Sequence, residues 1–477
     1  MIQLPKIIQG GMGVAVSNWK LANAVAKNNQ LGVVSGTGID TVFIRRLQDG
    51  DKEGDVRRAL SHFHDQDIVN TLLNDFFIEG GKAINVPYKR LPLHRVDLSA
   101  YQQQVLAVAA YVEVFLAKEN HQGVVGINLL EKVQIPNLAT IYGAMLANVD
   151  YVLMGAGIPR EIPGALDLFS LNKSASLKID VIKSTKEVRV TFDPEIVFPK
   201  LEKDHQLNRP KFLAIISSYT LASHLAKKAT GYVDGFIIEG PLAGGHNAPP
   251  RGPMTLNEIG SPIYTEKDEA DLVAIATIGR PFWLAGSFGT PSKLQMALAQ
   301  GAAGIQVGTA FAFCEESGFT SEIKKEVIKK WGREDLPKVE VFTDPLASPT
   351  GFPFKVAPMV NTLSEQSQFE SRPRICDIGY LRELVMEENG DLTYRCPAEP
   401  VNEFTKKGGE LSKTLGRKCL CNALMSAAGV PQVQKNNFVE PILVTAGDDL
   451  INLYKIIHPL KESYSAKDVI HFLTGQI

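Results

Sequence analysis

Short apolar runs that end in small residues recur as far as residue 308 of this chain, and amphipathic segments separate them. Each run has the length and β-branched content of a buried parallel strand. The segments at 19–28, 219–228 and 290–300 have the periodicity of helices. The eight apolar runs are Ile7–Gly10, Gly32–Ser35, Val124–Asn128, Tyr151–Met154, Phe212–Ser217, Gly235–Glu239, Phe282–Gly286 and Gly304–Gly308.

Alternating strands and helices predict an α/β protein with a parallel sheet, and eight units favour a closed (β/α)8 TIM barrel. A doubly wound open sheet is the alternative. The predicted barrel spans residues 1–330. It has a long insertion after the second strand, at about 40–120, and a hairpin insertion before the fifth, at about 172–210. Residues 331–477, where the alternation stops, form a C-terminal appendage.

The composition argues against nucleic-acid binding, membrane association and a disulfide-rich secreted scaffold. The 477 residues are 44% hydrophobic and carry a formal net charge of -2, which gives no general attraction to nucleic acid or to a membrane surface. No apolar run approaches the roughly 18 residues of a membrane span. The first residues lack the pattern of a signal peptide, and 5 cysteines do not make a disulfide scaffold. We therefore expect a cytoplasmic protein.

A histidine follows the sixth predicted strand. The run Gly235–Glu239 is followed by small residues and then by His246, which comes directly after Gly244 and Gly245. In a (β/α)8 barrel the active site lies at the carboxyl ends of the strands. An imidazole with an ordinary pKa near 6.5 can take or give a proton at neutral pH. His246 is therefore the candidate catalytic residue, and Glu239 is either a buried orienting carboxylate or the partner of a lysine.

Two glycine turns follow the last two predicted strands. Ala285–Gly289 leads into the helix that begins near Thr290, and Val307–Thr309 leads into another helical segment. Backbone N–H groups at such turns, backed by a helix N-terminus, favour an anion, and this is the usual phosphate site of the fold. The chain has neither a Gly-x-Gly-x-x-Gly after the first strand nor a P-loop, which excludes those two nucleotide motifs.

The first and third strands supply further candidates. The turn Gln9–Gly13 places flexible backbone and the Met12 thioether at the same rim, where a flat aromatic cofactor could lie. A close turn with a core methionine is the other interpretation. Asn128 ends the third strand with an amide that can donate to and accept from the edge of a heterocycle. It could equally cap the segment that follows.

These motifs together resemble the nitronate monooxygenases, formerly called 2-nitropropane dioxygenases. The matching elements are Ile7–Gly13, Gly126–Asn128, Met154–Pro159, Glu239–His246, Ala285–Gly289 and Gly304–Thr309. That family consists of FMN-dependent barrels related to FMN-dependent enoyl-acyl-carrier-protein reductases. The resemblance implies His246 as the catalytic acid or base. It also implies FMN bound by Gly10, Gly11, Met12, Asn128, Gly244, Gly245, Gly286, Ser287, Gly308 and Thr309.

The resemblance implies an oxidoreductase that oxidises small alkyl nitronates with O2. An alternative is an enoyl-thioester reductase that uses NAD(P)H, because the two activities share the same barrel residues. A hypothesis of another class is a flavin-binding scaffold whose appendage senses or binds a partner. An oligomer is compatible with all three.

The appendage carries two features of its own. Cys376, Cys396, Cys419 and Cys421 could together hold a zinc ion or an iron–sulfur centre, with buried free thiols as the alternative. The turn-rich segment Asp344–Phe354 could fold over the mouth of the barrel or serve as a linker.

Overall fold

The computed structural model describes residues 4–202, 205–336, 339–458 and 461–476. Every predicted apolar run is a strand of one sheet, in which all neighbouring strands run parallel. We number these strands by their order along the chain: β1 Ile7–Gln9, β2 Gly32–Ser35, β3 Val125–Leu130, β4 Tyr151–Gly155, β5 Lys211–Ile216, β6 Gly235–Glu239, β7 Phe282–Ala285 and β8 Gly304–Val307.

The sheet closes on itself. Its order is β1-β8-β7-β6-β5-β4-β3-β2. The gap between β1 and β2 is bridged where Ile8 pairs in parallel with Leu31, and the Gln9 N–H donates to the Leu31 carbonyl over 3.0 Å. The predicted (β/α)8 barrel is therefore confirmed. The doubly wound alternative is wrong, because an open sheet would leave its first and last strands as free edges.

The barrel helices begin where the sequence supplies side-chain caps. Asn18, Ser218 and Thr290 each accept a hydrogen bond from a backbone N–H in the first turn of the helix that follows. The helices are Trp19–Lys27, Ile39–Gln48, Asp55–Ser61, Gln66–Phe76, Ala100–Lys118, Asn137–Leu146, Ile162–Ser170, Pro194–Val197, Tyr219–Lys228, Leu272–Ala276, Pro291–Ala299, Thr309–Ala312, Ser321–Trp331, Gln366–Ser371, Val401–Lys406, Leu420–Ala427 and Ala466–Thr474.

The two insertions have different structures. The one after β2 is helical, and its longest helix, Ala100–Lys118, is buried along most of its length against the barrel helices. The one before β5 contains an antiparallel pair, Ala175–Ile179 with Val188–Phe192. Val181–Ile182, between those two strands, pairs with Glu383–Met386 of the appendage.

The appendage packs on the barrel. Its last helix, Ala466–Thr474, lies against the first barrel helix, Trp19–Lys27, and the Tyr464 hydroxyl donates to the carbonyl of Ala310 over 2.7 Å. Leu450 and Leu453 belong to the same hydrophobic core as the barrel. The division near residue 331 stays a prediction, and the predicted outer ends of both domains, residues 1–3 and 477, lie outside the described residues.

The remaining strands connect the appendage to the barrel mouth. Gly245–His246 pairs antiparallel with Phe354–Val356, which also pairs with Phe342–Asp344. Glu383–Met386 pairs with Leu392–Arg395. In the part of the chain that the structure describes, no helix has both the length and the apolar character needed to cross a membrane.

Candidate active site

A cavity of about 240 Å³ opens at the carboxyl ends of the barrel strands. This is where the fold places active sites. The structure brings every predicted catalytic and cofactor-binding residue to the wall of this cavity. They are Gly10, Gly11, Met12, Asn128, Gly244, Gly245, His246, Gly286, Ser287, Gly308 and Thr309.

The turn after β7 has an unusual backbone. Gly286 and Ser287 are consecutive residues with positive φ, 90° and 60°, the second in a residue type that seldom adopts this conformation. A Cβ on Gly286 would lie 3.0 Å from the carbonyl oxygen of Gly240, so glycine is required there. The helix Pro291–Ala299 begins just beyond, and its N-terminal end favours negative charge. The turn is therefore suited to an anion.

Two buried amide oxygens on the cavity wall have no hydrogen-bond partner among the described residues. Asn128 donates from Nδ2 to the carbonyl of Gly11 over 2.9 Å, which leaves its Oδ1 unpaired. The Oε1 of Gln306, in the middle of β8, is also unpaired. Leaving such a group buried and unsatisfied costs about 1–3 kcal/mol. Both oxygens could accept N–H donors from a ligand in the cavity.

The appendage fixes His246. Its Nε2 shares a hydrogen bond of 2.7 Å with the hydroxyl of Ser348, and its ring contacts the edges of Phe352 and Phe354. The segment Asp344–Phe354 therefore folds over the barrel mouth, as one of its two interpretations predicted. Among the described residues, Nδ1 has no hydrogen-bond partner. Ser348 thus holds one ring nitrogen and leaves the other free, and His246 as a residue lines the cavity.

The pKa of His246 differs from the sequence expectation. Burial lowers it to about 4, well below the ordinary value near 6.5. The residue borders the cavity but is otherwise enclosed by protein, so its charged form loses hydration without gaining a counterion. His246 is therefore neutral at neutral pH and can accept a proton or a hydrogen bond.

Glu239 is the group that titrates near neutrality. Burial raises the pKa of its carboxyl to about 7. Its pairing with a lysine, one of the two sequence interpretations, is wrong, since among the described residues burial shifts its pKa and no charged partner does. Glu239 lines the same cavity as His246. The site thus combines a neutral imidazole with a carboxyl group that changes charge around pH 7.

Part of the cavity wall was not predicted from the sequence. The appendage segment 445–449 crosses the barrel mouth and contributes Thr445, Ala446, Gly447 and Asp449 to the lining. It comes so close to the β6 loop that a Cβ on Gly244 would lie 2.8 Å from the Ala446 carbonyl carbon. The only local signal is the run of small residues at 445–447, which is also typical of an ordinary turn. Gln306 was also not predicted as a site residue. Its polar side chain inside a buried strand was a signal in the sequence that could have identified it.

The four appendage cysteines gather around one small space of about 10 Å³, and all are free thiols. Burial raises the pKa of Cys419, and raises that of Cys421 to about 12. Cys376 and Cys396 are hydrogen-bonded to each other. In the described ranges, no group of three or more His, Cys, Asp or Glu side chains is arranged to hold a metal ion. The predicted zinc or iron–sulfur centre is therefore not supported.

Curated relatives match a limited part of the chain. Proteins from Rhodococcus jostii and Mycobacterium tuberculosis are each 30% identical, over 118 and 115 residues, which are 25% and 24% of this chain. Both are named (3aS,4S,5R,7aS)-5-hydroxy-7a-methyl-1-oxo-octahydro-1H-indene-4-carboxyl-CoA dehydrogenase. The match spans only 29% of the length of each relative.

Several solved structures are similar over 99% of this chain. FabK from Thermotoga maritima is 14% identical, with 92% of its chain covered and a TM-score of 0.45. Nitroalkane oxidase from Streptomyces ansochromogenes is 13% identical, with 95% covered and a TM-score of 0.47. The enoyl reductase domain of MlnA from Bacillus amyloliquefaciens is 12% identical, with 93% covered and a TM-score of 0.49. At these scores the fold assignment rests on the strand pairing described above.

A family model described as nitronate monooxygenase matches residues 168–342. The matched segment contains β5 to β8, His246 and both glycine turns. It ends before Ser348 and before the segment 445–449, so the parts of the site that come from the appendage lie outside the match. Through residues 168–342, the chain is similar to the nitronate monooxygenase family.

Proposed function

We propose that this protein is an FMN-dependent oxidoreductase that oxidises small alkyl nitronates with O2. The observation that carries the proposal is the convergence of an anion-suited glycine turn, unpaired amide oxygens and a neutral histidine on one cavity at the barrel mouth. Bound FMN would supply the redox chemistry, accepting electrons from the substrate and passing them to O2. The residues of this chain bind, orient and manage protons.

The cavity fits FMN by its donor and acceptor groups. The turns at Gly286–Ser287 and Gly308–Thr309 would hold the phosphate through backbone N–H groups. The unpaired oxygens of Asn128 and Gln306 would accept N–H donors of the isoalloxazine ring. The two amide oxygens have no partner among the described residues, and the consecutive positive φ angles of Gly286 and Ser287 suit that turn to an anion.

His246 transfers the proton, and Glu239 controls the charge that an entering substrate meets. His246, neutral above about pH 5, takes the proton from a neutral nitroalkane through the ring nitrogen that Ser348 leaves free. The nitronate anion that results lies beside the imidazolium, and this opposite charge offsets the burial that disfavours protonation. Protonated Glu239 lets an anionic substrate enter, whereas its carboxylate repels one.

The second candidate is an enoyl-thioester reductase that uses NAD(P)H. One observation favours it: the two curated relatives carry names of enzymes that act on a carboxyl-CoA thioester. In this activity His246 would assist protonation of the reduced product. The same cavity residues serve both reactions, so the substrate distinguishes them.

The third candidate, a flavin-binding scaffold with a sensing or interaction module, is less well supported. Ser348 of the appendage is hydrogen-bonded to His246, and the segment 445–449 lines the cavity. The appendage therefore forms part of the active site, which does not require a separate sensing role. A yellow protein that reacts with neither substrate class would favour this candidate.

An anaerobic stopped-flow experiment on the purified flavoprotein distinguishes the candidates. A propyl nitronate, an enoyl thioester and NAD(P)H are mixed with it in parallel, and the flavin absorbance is recorded. The proposed function predicts rapid bleaching by the nitronate alone and recovery of colour when O2 is admitted. Bleaching by NAD(P)H, followed by reoxidation with the enoyl thioester, would replace the proposal with the second candidate.

A further inference from the structure

The appendage segment 445–449 is fixed to the barrel mouth by three hydrogen bonds to the loops that follow β6 and β8. The Gly245 N–H donates to the Thr445 hydroxyl over 2.7 Å. The Gly447 N–H donates to the Thr309 hydroxyl over 2.8 Å. The Asp448 N–H donates to the carbonyl of Leu242 over 3.1 Å. The segment therefore has a defined position across both glycine turns.

Asp449, which follows in this segment, occupies the anion-suited turn itself. Its Oδ2 accepts the N–H of Gly289 over 2.8 Å, and the side chain of Ser287 interacts with the same carboxylate. A Cβ on Gly289 would lie 2.8 Å from Oδ2. Since the helix Pro291–Ala299 begins just beyond this turn, the carboxylate sits where the helix N-terminus attracts negative charge.

Little in the surroundings neutralises this carboxylate. Among the described residues it makes no ion pair, whereas the neighbouring Asp448 binds Lys355 over 2.6 Å. Burial and Asp448 raise the pKa of Asp449, while the Gly289 N–H, Lys293 and the Ser287 side chain lower it. A phosphate monoester brings a charge of about -1.5 to -2 to the same turn at neutral pH. Two anions cannot both occupy the Gly289 donor without strong repulsion.

We propose that Asp449 is an internal competitor for the cofactor phosphate: its carboxylate occupies the Gly289 turn in the flavin-free protein and must leave before the phosphate of FMN can bind there. The inference rests on the proposed function, because it takes this turn as the phosphate site. It goes beyond that function by assigning a residue of the appendage, outside the family match, to the control of cofactor affinity. Riboflavin lacks the phosphate and does not meet this competition.

The test measures flavin affinity, not turnover. Full-length protein freed of flavin is titrated with FMN and with riboflavin, and the quenching of flavin fluorescence gives each Kd. For Asp449→Asn we expect FMN to bind at least about tenfold more tightly, a change of about 1.4 kcal/mol, with riboflavin affinity unchanged. Asp448→Asn is the matched control, since it removes the same charge from the adjacent residue, whose carboxylate binds Lys355 and not the turn.

Each outcome decides the inference. Unchanged or weaker FMN binding in Asp449→Asn overturns it, and so does equal tightening in Asp448→Asn, which would reveal a general charge effect. If Asp449→Asn does not fold, Asp449→Ser replaces it. If neither folds, the wild type decides: we expect FMN to exceed riboflavin in affinity by less than about tenfold, and a larger advantage overturns the inference. Failure to bind either flavin contradicts the proposed function instead.

Discussion

At the scale of single residues, burial shifts the pKa values of two cavity groups in opposite directions. Burial at the cavity lowers the pKa of His246 to about 4 and raises the pKa of Glu239 to about 7. In both cases the charged form loses hydration, so the imidazole stays neutral and the carboxyl group tends to hold its proton. The group that changes charge near neutral pH is therefore the glutamate, although the sequence singled out the histidine for this property.

Glu239 should govern the pH dependence with an anionic substrate. Below about pH 7 its carboxyl is protonated and admits a nitronate, whereas above that pH its charge repels one. We expect kcat/KM for an alkyl nitronate to fall as the pH rises through about 7. For the neutral nitroalkane, measured in the same buffers, the fall should be smaller, because that substrate enters the cavity without charge.

The variant Glu239→Gln provides the control for this pH dependence. Its amide cannot ionise, so kcat/KM for the nitronate should become independent of pH in this range. A fall that persists in Glu239→Gln, or one that appears equally with the neutral substrate, would assign the titration to another group.

His246 should carry the proton transfer. In His246→Asn we expect turnover of a neutral nitroalkane to fall by about 10²–10⁴-fold, the usual contribution of general acid–base catalysis. Turnover of a pre-formed nitronate should fall less, because that substrate needs no deprotonation. FMN content should stay normal, since the proposed phosphate and ring contacts come from other residues. Full activity on the neutral substrate would return His246 to a structural role.

At the scale of elements, the segment Asp344–Phe354 determines how His246 is presented. Phe354 pairs with His246 in a short antiparallel sheet, and Ser348 bonds to its ring. Ser348 is fully buried and also shares a hydrogen bond of 2.8 Å with Thr350. The appendage thus orients a side chain that the barrel supplies.

Ser348→Ala should lower activity through the histidine. Loss of this hydrogen bond, whose net value is about 0.5–1.5 kcal/mol, should reduce kcat several-fold to about tenfold while FMN remains bound. The decisive readout is a double-mutant cycle. Adding Ser348→Ala to His246→Asn should cause no further loss, because the serine acts only through the imidazole. An equal loss in both backgrounds would mean that Ser348 serves the fold in general.

At the scale of the whole molecule, the local pattern of the sequence was sufficient for the barrel and for most of its rim. Each strand appeared as an apolar run, and helix starts such as Thr290 carried their own capping side chains. Since the carboxyl ends of parallel strands meet at one rim, residues as distant as Gly10 and Thr309 could be assigned to the same site. All of them line one cavity.

What the sequence did not reveal depends on contacts between distant segments. Ser348 reaches His246 across 102 positions, and Thr309 meets Gly447 across 138. No periodicity records such contacts, so neither the bond from Ser348 to His246 nor the segment 445–449 was predicted as part of the site, although one interpretation of Asp344–Phe354 placed that segment over the barrel mouth. The pKa shifts of His246 and Glu239 were missed for the same reason, because burial depends on the completed tertiary structure. The four appendage cysteines were predicted as a possible metal site from the sequence. They do lie close together, but among the described residues they are not arranged to hold a metal ion.

The proposed function requires that FMN binds in the cavity at the barrel mouth. Gly308 offers the cleanest test, because its backbone does not require glycine and a Cβ there would lie 3.5 Å from the Met12 sulfur, an ordinary contact. Gly308→Val extends two methyl groups from this wall of the cavity, whereas Gly286→Val would collide with the backbone of Gly240 and disturb the fold.

The measurement is the flavin content per chain of the purified wild type, Gly308→Ala and Gly308→Val, with the thermal unfolding midpoint recorded for each. We expect a yellow wild type with about one FMN per chain. We also expect a graded loss of FMN through the alanine variant to a colourless but folded valine variant. A folded Gly308→Val with normal FMN content, or a wild type that cannot be loaded with FMN, would contradict the proposed function.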